Sequence, residues 1–256
     1  MIAARVIPCL LLSGRGLVKT VRFRDPKYVG DPRNAVKIFN EKEVDELVIL
    51  DILATPEGRR PQFELIREIV SEAFMPVAYG GGIRSVEDAR AMLQLGVEKV
   101  IVNAAAVETP ALVGAAAREF GSQSVVVCID AKKSLFGRHE VHTHGGRRNA
   151  KLAPAAFARE MEDQGAGELV VHSIDRDGTM AGYDLELVRA VASAVRIPVI
   201  ACGGAGRLDD LRAAVQEGGA SAVAAGSLFV FHGKHRAVLI SYPTQDALSA
   251  LFRPTR

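Results

Sequence analysis

The chain has 256 residues, of which 48% are hydrophobic, and a formal net charge of +2 from 32 basic and 30 acidic side chains. Such a length and composition can form one large core over residues 1–256, and the balanced charge gives no indication of nucleic acid or an anionic membrane as a partner. Aromatic residues make up only 5%, and tryptophan is absent, so stacking on bases is not supported. The short apolar stretch at the N-terminus does not fit a signal peptide, and no stretch is long enough to span a membrane, which predicts a cytoplasmic protein.

Short apolar, β-branched runs alternate with amphipathic runs along the chain. The apolar runs predict strands at 4–11, 46–52, 76–79, 99–102, 125–130, 168–173, 198–202 and 222–225. The amphipathic runs predict helices at 63–72, 85–95, 110–120, 154–164, 185–194 and 208–216. Because the strands are apolar on both faces, they indicate a parallel sheet covered by helices. Residues 13–34 are polar and predict a mobile loop, and the alternation in residues 138–148 predicts a small hairpin.

The chain contains an internal repeat with an offset of 122 residues. Glu46-Leu47-Val48 is answered by Glu168-Leu169-Val170, and Gly81-Gly82 by Gly203-Gly204. Self-similarity over such a distance indicates that two copies of one half-domain were joined. Eight strands with intervening helices and a repeat at the midpoint predict a single (β/α)8 TIM barrel built from two half-barrels, rather than a doubly wound sheet.

Glycine-rich turns follow corresponding strands of the two halves, at the barrel face where ligands bind. Main-chain N–H groups at glycine can approach an anion closely, so two matched pairs of turns favour phosphate binding over tight turns alone. The substrate predicted from them carries a phosphate at each end. The candidate phosphate-binding residues are Gly81, Gly82, Asn103, Ala104, Gly178, Gly203, Gly204, Gly226 and Ser227, with Lys19 from the first loop.

One position breaks the symmetry where acid and base groups are expected. Aligning the first and fifth strands pairs Cys9 with Cys128 and places Leu11 opposite Asp130. Two facing carboxylates could serve as general acid and general base, but a leucine cannot transfer a proton. Asp130 is therefore the candidate catalytic residue, although a carboxylate at the end of a strand can also serve a turn.

Other polar residues follow the second and sixth strands. Asp51 and Asp177 are expected to point toward the barrel mouth, where either could orient substrate hydroxyls or replace the missing acid, and Thr179 is expected to orient substrate. The three cysteines are far apart in apolar runs without a CxxC pair, which predicts buried free thiols rather than disulfides or zinc. His139, His142 and His144 fall close together, and His142 and His144 share a face of the predicted hairpin. No third ligand of fixed spacing accompanies this pair, so incidental histidines are favoured, and neither a metal nor a cofactor is expected.

The chain resembles the cyclase subunit of imidazole glycerol phosphate synthase nearly from end to end. The motifs that carry the resemblance are Ala4-Arg5-Val6-Ile7-Pro8-Cys9-Leu10, Asp45-Glu46-Leu47, Tyr79-Gly80-Gly81-Gly82-Ile83, Asn103-Ala104-Ala105, Val127-Cys128-Ile129-Asp130-Ala131-Lys132, Ser173-Ile174-Asp175-Arg176-Asp177-Gly178-Thr179 and Gly203-Gly204-Ala205-Gly206. The resemblance implies a barrel that receives ammonia from a glutaminase subunit at its N-terminal face and forms an imidazole ring at the opposite mouth.

The resemblance also implies an ammonia gate and exposes a departure from the family. The family's gate of salt-bridging charges maps onto Arg5, Glu46, Lys99 and Glu168. Unpartnered charges in such inward positions would be costly, and a purely structural network is the alternative.

The family's first catalytic aspartate falls at Leu11, and its threonine after the strand-four asparagine is Ala104, whereas its second catalytic aspartate is kept as Asp130.

The loop 16–32 and the ending Ser241-Tyr242-Pro243 are similar to a divergent branch of the family that accompanies a sugar amidotransferase. In that branch the barrel is thought to help supply ammonia for acetamidino sugars of surface polysaccharides. The leading hypothesis is thus a non-cyclising barrel that binds a phosphorylated ligand and passes ammonia to a sugar-modifying partner. The alternatives are an active cyclase of histidine biosynthesis, a ligand-sensing activator of the glutaminase, and a sugar-phosphate isomerase.

Overall fold

The computed structural model describes residues 4–253, and these form the helices and strands that follow. The strands are β1 (Arg5–Ser13), β2 (Gly16–Val21), β3 (Arg24–Gly30), β4 (Leu47–Asp51), β5 (Val77–Gly80), β6 (Lys99–Val102), β7 (Val125–Lys133), β8 (His139–Thr143), β9 (Arg148–Asn149), β10 (Glu168–Ser173), β11 (Val199–Cys202), β12 (Ala222–Ala225), β13 (Phe231–His232) and β14 (Ala237–Val238). The helices are α1 (Pro32–Glu41), α2 (Phe63–Val70), α3 (Val86–Gln94), α4 (Ala104–Glu108), α5 (Ala111–Phe120), α6 (Pro154–Gln164), α7 (Leu185–Ala192), α8 (Leu208–Gln216), α9 (Ser227–Val230) and α10 (Gln245–Leu251).

Eight parallel strands close into a barrel. The order β1, β4, β5, β6, β7, β10, β11, β12 returns to β1, where Arg5 pairs with Ala222 and Pro8 with Ala225. Helices lie between successive barrel strands, so the predicted (β/α)8 barrel is confirmed. Each of the eight predicted strands is present to within two residues at either end, except that β7 extends three residues further toward the mouth.

Side chains of the barrel strands alternate between the helices and the barrel interior. Along β1, Val6 and Leu10 pack with the helix-facing core, whereas Ile7, Cys9 and Leu11 belong to a separate interior cluster. The other strands add mainly small or β-branched side chains to this interior cluster: Val48, Ala78, Ile101, Val126, Cys128, Val170, Ile200, Cys202, Ala222 and Ala224. The interior is therefore apolar between the two ends of the barrel.

The segment predicted as a mobile loop, residues 13–34, forms an antiparallel hairpin instead. Strand β2 pairs with the end of β1, with Leu11 opposite Val18, and β3 pairs with β2. Leu17 and Val18 are buried by this pairing, as is Lys19. The outer strand β3 is mostly exposed and polar, which is why composition alone suggested a loop. Helix α1 then begins at Pro32 with Asp31 as its N-cap, and this helix was not predicted.

The hairpin predicted over residues 138–148 is paired differently. Strand β8 forms a hairpin with the extension of β7, so that His142 lies opposite Asp130, and only Arg148 and Asn149 pair back onto β8. The predicted helix start at Ser85 is confirmed, because its side chain accepts a hydrogen bond from Asp88 N. In the part of the chain that the structure describes, we find no helix both long and apolar enough to cross a membrane.

Candidate active site at the barrel mouth

A cavity of about 460 Å³ opens at the carboxyl ends of the barrel strands. It is lined by residues from both halves of the barrel and from the β7–β8 hairpin, including Leu11, Asp51, Asp130 and His172. A second, much smaller pocket of about 20 Å³ adjoins it, and Leu11 and His172 line both. Because strand ends of a (β/α)8 barrel carry the functional groups, this mouth is the candidate active site.

A buried chain of three ionisable side chains crosses the mouth. His172 at the end of β10 lies between two carboxylates, with its Nδ1 3.7 Å from Asp130 Oδ1 and its Nε2 3.6 Å from Asp177 Oδ1. All three residues are at least nine-tenths buried. The ring of Phe23 packs edge-on against the imidazole, with ring centroids 4.8 Å apart. The register explains the placement, since His172 is the parallel neighbour of Asp130 across β10 and β7.

Burial and mutual contact shift the titration of these groups in different directions. Burial raises the pKa of Asp130 to about 6, although the neighbouring His172 opposes this shift. Burial would also lower the pKa of His172, but the carboxylates of Asp177 and Asp130 outweigh it and raise that pKa overall. The pKa of Asp177 lies below its ordinary value, because contacts with His172, Lys19 and Thr20 outweigh its burial. The mouth thus holds a carboxyl group that titrates near neutrality beside a permanent carboxylate.

Leu11 occupies the side of the mouth opposite Asp130. It lies at the first barrel strand, whereas Asp130 lies at the fifth, and both line the large cavity. Leu11 is 4% exposed and packs within the interior cluster. The pairing read from the sequence therefore places Leu11 where an ionisable group would face Asp130, and the apolar side chain offers no proton donor or acceptor.

The glycines of the two corresponding turns all have positive φ. The φ angles of Gly81 and Gly82 are +123° and +75°, and those of Gly203 and Gly204 are +88° and +117°, a region that disfavours other residues. A Cβ on Gly81 would approach Asp51, and one on Gly203 would approach the backbone of Ser173. The repeat is therefore present in backbone geometry, because each turn packs against the end of the strand before it in the barrel.

The small pocket collects the phosphate candidates of the second half. Lys19, Gly178, Gly203, Gly204, Gly226 and Ser227 all line it. The buried hydroxyl of Ser227 has no hydrogen-bond partner within residues 4–253. A Cβ on Gly226 would lie 2.8 Å from Lys19 Nζ, so the lysine side chain covers this turn. Lys19 Nζ lies 3.7 Å from Asp177 Oδ1. The pocket thus combines a cation, an unused hydroxyl and open backbone.

The remaining candidates have mixed placements. Gly81, Gly82, Asn103 and Ala104 line the large cavity, and the Asn103 amide donates to the carbonyl oxygen of Cys128 at 3.0 Å. Asp51 also lines it, yet its carboxylate already accepts from the N–H groups of Leu53 and Ala54 and from the Gln62 amide. Thr179 lines neither cavity, and its hydroxyl donates to the carbonyl oxygen of Arg176. The structure thus does not bring Thr179 to the mouth.

At the other end of the barrel, four charged side chains form a closed ring. Arg5 donates to both Glu46 and Glu168, and Lys99 Nζ lies 2.9 Å from Glu46 Oε1 and 3.0 Å from Glu168 Oε2. The glutamates are buried, and the two basic side chains are partly exposed. All four residues lie at or beside the N-terminal ends of barrel strands. The next residue along each strand packs in the helix-facing core, so by alternation the four charged side chains face inward. Those next residues are Val6, Leu47, Val100 and Leu169.

Comparison with known proteins identifies the family of the chain. Residues 5–236 match the family described as "Histidine biosynthesis protein". The chain belongs to that family. It is 55% identical over 248 residues to a protein of Pseudomonas aeruginosa provisionally named imidazole glycerol phosphate synthase subunit hisF2, covering 97% of this chain and 99% of the relative. A provisionally named HisF subunit of the same synthase from Leptospira borgpetersenii is 48% identical over 98% of this chain and 100% of the relative. A provisionally named hisF3 subunit from Vibrio vulnificus is 49% identical over 95% of this chain and 94% of the relative.

Within this member of the histidine biosynthesis protein family, sequence reasoning missed three contributors to the mouth. His172 was read as part of an apolar strand, although its parity with Glu168 and Val170 would have placed it inside the barrel. Phe23 and Thr20 were hidden in the presumed loop, and Thr20 Oγ1 donates to Asp177 Oδ2 at 2.7 Å. Cys9, Cys128 and Cys202 are buried free thiols, as the sequence predicted.

Proposed function

We propose that this barrel conducts ammonia from a glutaminase subunit docked on its N-terminal face to a phosphorylated ligand or partner at the mouth. The observation that carries this proposal is the ring of Arg5, Glu46, Lys99 and Glu168, above which the barrel interior is apolar up to the mouth. Neutral ammonia can cross an apolar interior, whereas the desolvation of ammonium is costly. The charged ring would admit ammonia at one end, and the mouth would deliver it at the other.

The ligand of the mouth is proposed to carry two phosphate groups. Gly81 and Gly203, at equivalent turns of the two halves, both have positive φ, which supports one phosphate site on each side. Lys19 and the unused hydroxyl of Ser227 support the site of the second half in particular. A bis-phosphorylated molecule lying across the 460 Å³ cavity would present its centre to Asp130 and His172.

Ring closure is proposed to be inefficient because Leu11 removes one member of a facing acid and base pair. Loss of a positioned proton-transfer group lowers a rate by about 10²–10⁴-fold. The ammonia would instead serve a sugar amidotransferase, in the manner of the divergent branch that makes acetamidino sugars for O-antigen and other surface polysaccharides. The resemblance of residues 16–32 and 241–243 to that branch supports this acceptor.

The first experiment measures cyclisation without the glutaminase. The purified chain and a Leu11→Asp variant are incubated with the ribulosyl aminoimidazole carboxamide nucleotide of the family and excess ammonium salt. We expect turnover far below about 1 s⁻¹ for the native chain, and a gain for Leu11→Asp, because the variant restores a carboxylate facing Asp130. The matched control is Leu11→Asn, because it adds polarity without a titratable carboxyl group. Leu12→Asp would not be informative, since it would bury a charge in the helix-facing core.

Turnover of order 1 s⁻¹ by the native chain would overturn the non-cyclising role.

The acceptor is tested separately in the host organism. Deletion of the gene is expected to abolish amidation of the surface polysaccharide while growth without added histidine continues. Histidine auxotrophy of the deletion strain would instead assign the chain to histidine biosynthesis.

A second candidate function is an active cyclase, and it is favoured by the side chains beside Leu11. Asp130, His172 and Asp177 form a buried row of proton donors and acceptors, in which His172 lies within 3.7 Å of each carboxylate. His172 or Asp177 could supply the proton that Leu11 cannot. His172→Gln and Asp177→Asn would then abolish the turnover seen in the native chain. Activation of the glutaminase by nucleotide without any product would favour the ligand-sensing alternative.

A further inference from the structure

A mixed set of metal-ligating side chains lies at the mouth, although no metal was expected from the sequence. Cys128, Asp130 and His172 place a sulfur, an oxygen and a nitrogen within 4.8 Å of one another. The Sγ of Cys128 is 3.4 Å from Asp130 Oδ1, and the Nδ1 of His172 is 3.7 Å from the same oxygen. Ligand atoms around tetrahedral zinc, at bond lengths of about 2.0–2.3 Å, lie roughly 3.5 Å apart. The two separations measured from Asp130 Oδ1 match that geometry.

The strands create this set by ordinary register. Cys128 and Asp130 are two residues apart on β7, so both side chains face the barrel interior. His172 on β10 is the parallel neighbour of Asp130. Three ligands on two paired strands are held by the sheet rather than by a loop, which favours a rigid site. All three line the 460 Å³ cavity, so a cation could enter from the mouth and keep one coordination position open to it.

The hydrogen bonding of the set is incomplete without a cation. The carboxylate of Asp130 is buried, and within residues 4–253 its side-chain hydrogen bond comes from the Cys128 thiol, a weak donor. The Nε2 of His172 is buried without a hydrogen-bond partner in the same range, although Asp177 Oδ1 lies only 3.6 Å away. Buried polar groups normally find partners, and a cation would supply one to the Asp130 carboxylate, whereas the Nε2 shortfall concerns the ring nitrogen that faces Asp177.

We propose that Cys128, Asp130 and His172 bind one zinc ion through Sγ, Oδ1 and Nδ1, with Asp177 Oδ1, 3.6 Å from Nε2, placed to accept from that nitrogen once the metal orients the ring. A carboxylate that accepts from the second nitrogen of a ligating histidine is the usual support of such a ligand. Thr20 donates to Asp177 and Lys19 lies near it, so this carboxylate is itself held in place. A thiolate, a carboxylate and an imidazole suit zinc better than magnesium or calcium, which prefer oxygen ligands.

A second group of three potential ligands, His139, Asp184 and Glu186, does not support a site in the same way. His139 Nε2 and Asp184 Oδ2 form a direct pair at 2.9 Å, and Asp184 also accepts from Leu187 N as the cap of α7. The carboxylate of Glu186 is exposed and pairs with Lys133. The second group therefore has its partners already, and it provides a control for the experiment.

The test uses the full chain, stripped of metal and titrated with cobalt(II) as a spectroscopic substitute for zinc. We expect one cobalt per chain, visible bands of tetrahedral intensity, a near-ultraviolet sulfur-to-cobalt charge-transfer band, and loss of all these bands on addition of zinc. Cys128→Ser is expected to remove the charge-transfer band, and Asp177→Asn to weaken zinc binding by about 10–100-fold. Cys202→Ser and His139→Ala are expected to leave the band unchanged, because neither residue belongs to the proposed set.

Each contrary result is informative. Absence of the charge-transfer band in the native chain overturns the proposal even if every variant fails to fold. A band that survives Cys128→Ser, or that disappears in Cys202→Ser, places the metal elsewhere and also overturns it. Circular dichroism of each variant shows whether the barrel is intact. The measurement needs neither glutaminase nor nucleotide, so its outcome is independent of the proposed ammonia transfer.

Discussion

Lys19 is the residue whose position bears most directly on ligand binding. Its ammonium group lies inside the mouth, 6% exposed, beside Asp177 and over the turn at Gly226. Burying a lysine costs free energy unless an anion compensates it, and one carboxylate at 3.7 Å compensates it incompletely. A ligand phosphate in the small pocket would supply the second anion.

Replacement of Lys19 by methionine is expected to weaken binding of the bis-phosphorylated nucleotide by about 10–100-fold, since a hydrogen bond to a charged group contributes about 1.5–3 kcal/mol. The measurement is isothermal titration calorimetry of the native and variant chains. Lys27→Met is the matched control, because Lys27 pairs with Lys19 across the hairpin but is exposed. Equal weakening by both variants would show a general charge effect instead of a phosphate contact.

At the scale of single residues, the sequence predicted those positions that depend only on strand alternation and on the internal repeat of 122 residues. Leu11 and Asp130 could be placed on opposite strands because the strands alternate and the two halves align. The contacts of His172 could not be predicted, since they depend on the distance between β7 and β10 and on the carboxylate of Asp177 from the following loop. A single histidine in an apolar strand gives no sign of which neighbours it meets.

At the scale of elements, the β2–β3 hairpin connects the first strand to the loop after β10. Arg22 N donates to the carbonyl oxygen of Asp177 at 2.9 Å, and Thr20 donates to the carboxylate of the same residue. Gly178 makes this contact feasible, because its φ is +69° and a Cβ there would overlap the carbonyl oxygen of Thr20. The hairpin therefore holds Lys19 and Thr20 in the mouth through a backbone contact that only glycine permits.

Gly178→Ala is expected to displace the hairpin, lower the free energy of unfolding by about 1–3 kcal/mol and weaken nucleotide binding. Gly182→Ala is the matched control: its φ is +86°, yet a Cβ would meet its nearest atom at 3.5 Å, so it adds backbone strain without a collision. Urea unfolding and calorimetric titration measure the two effects. If both variants lose binding equally, backbone strain alone accounts for the loss, and the hairpin contact has no particular role.

The hairpin also shows why one element escaped sequence prediction. On β2, Leu17 packs with the helix-facing core and Val18 with the interior cluster. Strand β3, at the edge of the sheet, is exposed along most of its length and has no apolar face to give a period-two pattern. An edge strand of this kind is stabilised by backbone pairing with its neighbour, which composition does not reveal. The eight barrel strands, by contrast, are buried on both faces and could be recognised from their apolar runs.

At the scale of the whole molecule, the two ends of the barrel differ in chemistry. The mouth carries glycine turns and groups that titrate, whereas the opposite end carries a closed ring of two basic and two acidic side chains. Glu46 and Glu168 are equivalent in the repeat, yet they share both cations, so the ring joins the two half-barrels. Such a ring connects the two halves across the barrel, and in the proposed function it would form the boundary between the interior and a docked subunit.

Lys99→Met tests the stabilising part of this role. The variant leaves Glu46 and Glu168 buried with Arg5 as their remaining cation. We therefore expect the free energy of unfolding to fall by about 2 kcal/mol. This is less than the roughly 3–5 kcal/mol typical of breaking a fully buried pair, because Lys99 and Arg5 are partly exposed. Arg90→Met, which breaks the exposed pair of Arg90 with Glu119, is expected to cost less than about 1 kcal/mol.

Denaturant unfolding of both variants at two salt concentrations distinguishes the ring from an ordinary surface network. Screening by salt is weak for buried charges and strong for exposed ones. The cost of Lys99→Met should therefore persist at high salt, whereas that of Arg90→Met should disappear. If the cost of Lys99→Met disappeared as well, water would reach the ring freely, and a ring open to bulk water could not separate neutral ammonia from ammonium at the entrance of the barrel.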